Sequence, residues 1–143
     1  MQQMMAVRAN MTPPLKQDLV SAKRDWHFHS MSRELVNDLC ARQPGAAWSD
    51  PWGEGHDCWK VGGKIFALIG AASETVSVKT ASPEMAELLI QTGVAERAKY
   101  LHRSWVAVPL DSAPDELLHR IRASYKLIRD KLPKRLRDGL ELS

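Results

Sequence analysis

A pair of glycines, Gly62-Gly63, set between Cys58-Trp59-Lys60-Val61 and Lys64-Ile65-Phe66-Ala67-Leu68-Ile69, constrains this chain more than any other stretch. Two strand-forming runs separated by two residues that accept positive φ predict a tight β-hairpin. The turn sets a register with Val61 opposite Lys64, Lys60 opposite Ile65 and Trp59 opposite Phe66. Strict alternation then places Trp59, Val61, Lys64, Phe66 and Leu68 on one face, and Cys58, Lys60, Ile65, Ala67 and Ile69 on the other. Both sets are largely apolar, so the hairpin is expected in the middle of a sheet.

Other elements follow from their own patterns. Met31, Leu35, Val36 and Leu39 predict a helix from about Ser32 to Gln43, capped by Ser30 or Ser32 and stopped by Pro44-Gly45. Ala46 to Ser49 offers a short strand, and residues 50–57 form a loop rich in turn formers. Thr75-Val76-Ser77-Val78-Lys79 alternates as a strand with one wet face. Ser82-Pro83-Glu84 starts a helix with Met85, Leu88 and Leu89 on its buried stripe and Gly93 at its end. Residues 94–103 read as an irregular, charged connection. Ser104 to Leu110 is the last strand, with Pro109 marking an edge or a stop. A long helix follows, capped by Asp111 or Ser112, with Leu117, Leu118, Ile121, Tyr125, Ile128 and Leu132 packed on the sheet. Pro133 breaks it, leaving a basic tail. This order predicts an α+β fold: an antiparallel sheet of about five strands around the Gly-Gly hairpin, with helices on one face in a two-layer sandwich.

At 143 residues the chain suits one folded domain, here 30–143, preceded by an extension over 1–29. Within that extension, Leu15 to Phe28 is either a short helix or a linker that ends in Trp26-His27-Phe28-His29. Two cysteines are too few for a disulfide framework, and no apolar run is long enough for a signal core or a membrane span, so a cytoplasmic protein is expected. The formal net charge of +3 is unevenly placed. Residues 1–57 carry 6 Lys/Arg against 7 Asp/Glu, whereas 58–143 carry 14 against 10. Between positions 120 and 137 only Asp130 opposes Arg120, Arg122, Lys126, Arg129, Lys131, Lys134, Arg135 and Arg137. Such a block attracts phosphate or an acidic partner.

The hairpin stretch Lys60-Val61-Gly62-Gly63-Lys64-Ile65-Phe66-Ala67-Leu68 resembles the signature of the MmcQ/YjbR family. Pro44-Gly45 with Pro51-Trp52-Gly53 is similar to that family's Pro-Gly and Pro-Phe-Gly elements, with Trp52 in place of Phe. Ser104-Trp105-Val106-Ala107-Val108 is similar to its late Trp-bearing strand, and Ser124-Tyr125 to its Ser-Tyr element before Leu132-Pro133-Lys134. The resemblance spans roughly residues 30–138. It implies a frataxin-like (CyaY-like) α+β fold and a small bacterial protein described as DNA-binding. Iron binding does not carry across, because the first helix offers only Glu34 and Asp38.

Each candidate site has a plain structural alternative. Arg122, Lys126 and Arg129 share a helical stripe, and with Lys131, Lys134, Arg135 and Arg137 they could neutralise phosphates; otherwise they are a solvated face at the negative end of a helix dipole. Lys60 and Lys64 could form a basic wing tip or simply protect a hairpin end. Trp59, Phe66 and Trp105 could be a stacking platform, although core packing accounts for them as well. His27, His29 and His56 have no sequence rule bringing them together, so no metal and no cofactor are expected. Neither Cys40 nor Cys58 has a recognisable base beside it, which points away from an enzyme. The leading expectation is DNA contacted through Lys60, Lys64, Arg122, Lys126, Arg129, Lys131, Lys134, Arg135 and Arg137. The alternative is a protein-interaction or small-ligand module. Oligomeric state stays open, a monomer being the simpler expectation.

Overall fold

Six antiparallel strands lie in the order β1-β2-β3-β4-β6-β5 in the computed structural model, which describes residues 32–141. They are β1 (Ala47–Ser49), β2 (Asp57–Val61), β3 (Lys64–Ile69), β4 (Thr75–Lys79), β5 (Glu96–Arg97) and β6 (Trp105–Pro109). The helices are α1 (32–41), α2 (Pro83–Gln91), α3 (Pro114–Asp130) and α4 (Lys134–Glu141). The expected 1–29 extension, with its histidines, and Ser30, one of the two expected caps of α1, lie outside the described residues; Ser32, the other, is already part of the helix. None of the helices among the described residues is long and apolar enough to cross a membrane.

The expected hairpin is present, with Gly62 and Gly63 at φ 58° and 82° and Val61 paired with Lys64. Beyond Lys60↔Ile65 the register shifts, and Trp59 pairs with Ala67, not with Phe66 as expected. Two residues of β3 thus span one step of β2, which is a bulge at Phe66. The shift corrects the expected faces: Ala67 and Ile69 join Trp59 and Val61 in the core cluster, and Leu68, paired with Cys58, turns to the other side. Val76, Val78, Val106 and Val108 continue the core face across β4 and β6.

One apolar cluster joins that face to Val36, Leu39 and Cys40 of α1, Ala86 and Leu89 of α2, and Leu117, Ile121 and Tyr125 of α3. These helices therefore form the expected second layer on a single face. In α2 the Ser82 side chain accepts from the Met85 amide at 3.1 Å, with Pro83 in the first turn, as predicted. The buried residues are Ala86 and Leu89, however, and Met85 and Leu88 are exposed. The helix lies over β5 and β6 at the sheet's margin, so its covered stripe is narrow. Neither Asp111 nor Ser112 caps α3. Ala113 holds that position, and the Ser112 hydroxyl donates instead to the Pro109 carbonyl at 2.7 Å.

Pro109 ends β6 and does not mark it as an edge strand, because β4 pairs with it on one side and β5 pairs with Ala107 and Val106 on the other. The two residues of β5 lie in the stretch expected to be irregular. The expected basic tail is the helix α4, tied down by Leu140 against the core cluster.

Gly62 lies directly under Leu132: a Cβ there would meet the leucine methyls at 2.6 and 2.9 Å, whereas one on Gly63 would meet nothing. Both positions have positive φ, but only Gly62 adds a steric conflict with a buried side chain. Gly63→Ala is expected to cost about 1 kcal/mol from backbone strain alone, and Gly62→Ala about 2 kcal/mol. Urea midpoints of the two variants check this; equal losses would mean that Leu132 simply moves aside.

Candidate nucleic-acid interface

The cationic side chains fall on two layers of the molecule. Trp59, Ala67, Val78 and Val106 face the helices, so the residues one step along, Lys60, Ile65, Lys79 and Trp105, turn to the opposite face of the sheet. Lys60 is half-buried there, and Lys64 is exposed beside the hairpin turn. Arg122, Lys126 and Arg129 belong to the helical layer. Lys60 and the α3 stripe therefore do not share a surface. Trp59 and Phe66 are core residues, while Trp105 is half-buried on the sheet's far face.

Two consecutive residues hold α3 in place. At the bulge the Ser124 hydroxyl donates to the Phe66 carbonyl at 2.7 Å and itself accepts from the Lys79 amide at 2.9 Å. Ser124 thus ties α3 to both β3 and β4. Tyr125, on the next position, meets Phe66 edge-on at 5.4 Å and donates its hydroxyl to the Pro44 carbonyl at 2.6 Å. Burial raises its phenol pKa, and the charge of Arg129, whose guanidinium lies 6.0 Å from the ring centre, lowers it in part.

With these residues turned inward, Arg122 and Lys126 point to solvent at ~100° per residue from the buried stripe. Three cations of the region have acidic partners: Arg120 with Glu116 at 2.8 Å, Arg129 with Asp130 at 3.0 Å and Lys134 with Asp138 at 2.9 Å. Arg122, Lys126, Lys131 and Arg135 are exposed and have no acidic partner among the described residues. Arg137 of α4 is half-buried, and its Nε has no hydrogen-bond partner. Exposed pairs such as Lys134–Asp138 are weak and open readily for a stronger anion. The surface that results can attract a polyanion.

A polar network closes the other side of α1. Asn37 donates to Asp57 at 3.0 Å and accepts from the Trp59 indole at 2.8 Å, while Trp48 donates to Asp57 at 2.7 Å. Cys40 is buried, and this burial, with the nearby Asp57 charge, pushes its thiol pKa up to about 12. Such a thiol stays protonated and is a poor nucleophile. Asp50 organises the following loop by accepting from the Gly55 and His56 amides at 2.9 and 3.2 Å, and chiefly the Gly55 bond lowers its pKa. Trp48 and Trp52 remain 54% and 53% exposed beside it, with Trp52 tilted against His56. Among the described residues no cluster of His, Cys, Asp or Glu could hold a metal ion, and His27 and His29 lie outside them.

The cations could be read from the sequence, as could the stripe on α3. The loop at 98–103, with the fully exposed Tyr100, reads in the sequence only as a charged connection; its signal there is an aromatic residue enclosed by Lys99 and Arg103.

Comparison with known proteins adds two similarities. A family model, YjbR, matches residues 41–127, a stretch that includes Lys60, Lys64, Arg122 and Lys126 and ends before Arg129. Among solved structures, the chain is similar to the crystal structure of Deinococcus radiodurans protein DR2400, which has the family-model domain DUF419. The TM-score is 0.65 at 26% identity, over 76% of this chain and 86% of that chain. No curated protein matches the chain.

Proposed function

The chain belongs to the YjbR family, and from this premise we propose that it is a small non-enzymatic protein that binds DNA mainly through the phosphate backbone. One observation carries the reading: the outer surface of α3 and α4 has Arg122, Lys126, Lys131 and Arg135 exposed without acidic partners among the described residues. Arg129, Lys134 and Arg137 supplement them. Lysine and arginine at such positions displace condensed counterions from DNA, so binding is salt-sensitive and tolerant of sequence. The buried, protonated Cys40 is consistent with a role without covalent catalysis.

An anisotropy titration of duplex DNA against salt tests the reading. The double variant Arg122→Glu/Lys126→Glu is expected to weaken binding at least about tenfold at low salt and to flatten the salt dependence by about two phosphate contacts. Absence of binding by the unaltered protein at low salt would overturn it. The exposure of Trp48 and Trp52 favours a second reading, a protein-interaction module. A partner that stays bound through nuclease treatment and is lost in Trp48→Ala/Trp52→Ala supports that one instead.

A further inference from the structure

We propose that the loop 98–103 is a separate nucleic-acid contact, in which Tyr100 stacks on an unpaired base while Lys99 and Arg103 hold the adjoining phosphates. The inference rests on the DNA-binding reading and deepens it by naming the strand type: single-stranded, with base faces free. Tyr100 is 102% exposed, so its ring makes no contact that would explain its placement. Its φ of 69° is positive, and it is the only non-glycine among the described residues with this conformation, which a bulky side chain rarely adopts.

The root of the loop, by contrast, is firmly fastened. Ser104 is buried, and its carbonyl accepts from the Thr80 amide at 2.7 Å and the Thr80 hydroxyl at 2.6 Å. Its hydroxyl accepts from Lys79 Nζ at 2.9 Å and meets His102 Nδ1 at 2.8 Å, while the Trp105 amide donates to the His102 carbonyl at 2.8 Å. A fixed base therefore presents an aromatic tip, and little ordering remains to be done on binding.

Charge identifies the occupant. From Arg97 to Leu110 there is no carboxylate; Arg97 is paired with Glu87 at 2.9 Å, and Lys99 and Arg103 are exposed on either side of Tyr100. An aromatic face between two cations matches a base between two phosphates. A duplex hides its base faces, so the loop favours a single strand. The Lys79 amide donates to the Ser124 hydroxyl at 2.9 Å, so the residue that fastens the loop is also tied to α3.

The test uses the full chain and fluorescence anisotropy at fixed low salt with three probes: labelled oligo-deoxythymidine, an abasic oligomer of equal length, and a duplex. Tyr100→Ala is expected to weaken binding of oligo-deoxythymidine by about 5- to 50-fold, while Tyr100→Phe retains it. Binding of the abasic oligomer and the thermal midpoint are expected to stay as they are. The proposal falls if Tyr100→Ala binds oligo-deoxythymidine as the unaltered protein does, or loses equally on the abasic probe. If Arg122→Glu/Lys126→Glu abolishes binding while Tyr100→Ala changes nothing, the helical surface stands and the loop contact does not. If the unaltered protein binds none of the three probes, both readings fall.

Discussion

Ser124→Ala is expected to destabilise the protein by roughly 2–4 kcal/mol and to lower Tm by roughly 10 °C or more. The substitution removes few atoms from the core, so packing is a minor part of the loss. The main part comes from two backbone groups that the hydroxyl serves at once, the Phe66 carbonyl and the Lys79 amide. The Phe66 carbonyl sits at the bulge, and Ser124 is itself fully buried, so water does not easily replace the lost partner. Each buried polar group left without a partner costs about 1–3 kcal/mol. Urea unfolding with an unchanged m value measures the loss. A cost below about 1 kcal/mol would show that the bulge relaxes and pairs its own carbonyl.

Alkaline conditions are expected to unfold the protein earlier than its charge alone would suggest, through Cys40. Its thiol pKa rises from 9.0 to about 12 on folding. Above pH 9 the unfolded chain releases this proton and the folded chain keeps it, so the equilibrium moves towards the unfolded state. The contribution is fully present below pH 9 and is lost as pH rises towards 12, at about 1.4 kcal/mol per pH unit and about 4 kcal/mol in all. Tyr125, whose pKa is also raised, acts in the same direction above pH 10, and Lys79, whose pKa is lowered, acts against it. Comparison with Cys40→Ala isolates the thiol. The variant starts less stable because of its cavity but is expected to have a shallower decline from pH 9 to 11. Parallel declines would mean that Cys40 ionises in place.

The parts of the fold that were legible are those whose chemistry is local. Gly62-Gly63 specified a turn, Ser82-Pro83 a helix start and residues 75–79 a strand, because caps, positive φ and alternation act within a few residues. The bulge at Phe66 is not legible in the sequence, since the hydroxyl that donates to its carbonyl lies 58 positions away. The two residues of β5 and the helix α4 were missed for the same reason: β5 exists only through β6, and α4 is held by Leu140 against the core. In the candidate interface, alternation already separated Lys60 from Trp59. Which of those two faces the helices would cover was a tertiary fact, and it decides that Lys60 and Arg122 cannot act side by side.

Both rims of the sheet are brief. The outer strand β1 spans Ala47–Ser49, between Pro44-Gly45 and Pro51, and β5 on the opposite rim spans Glu96–Arg97. A foreign strand that tried to extend the ladder would find two or three residues to pair with on either side, too few to repay its ordering. The fold thus resists growth by edge-to-edge stacking, even though its central strands are rich in valine and isoleucine. Any self-assembly of this domain has to proceed through side chains on its faces.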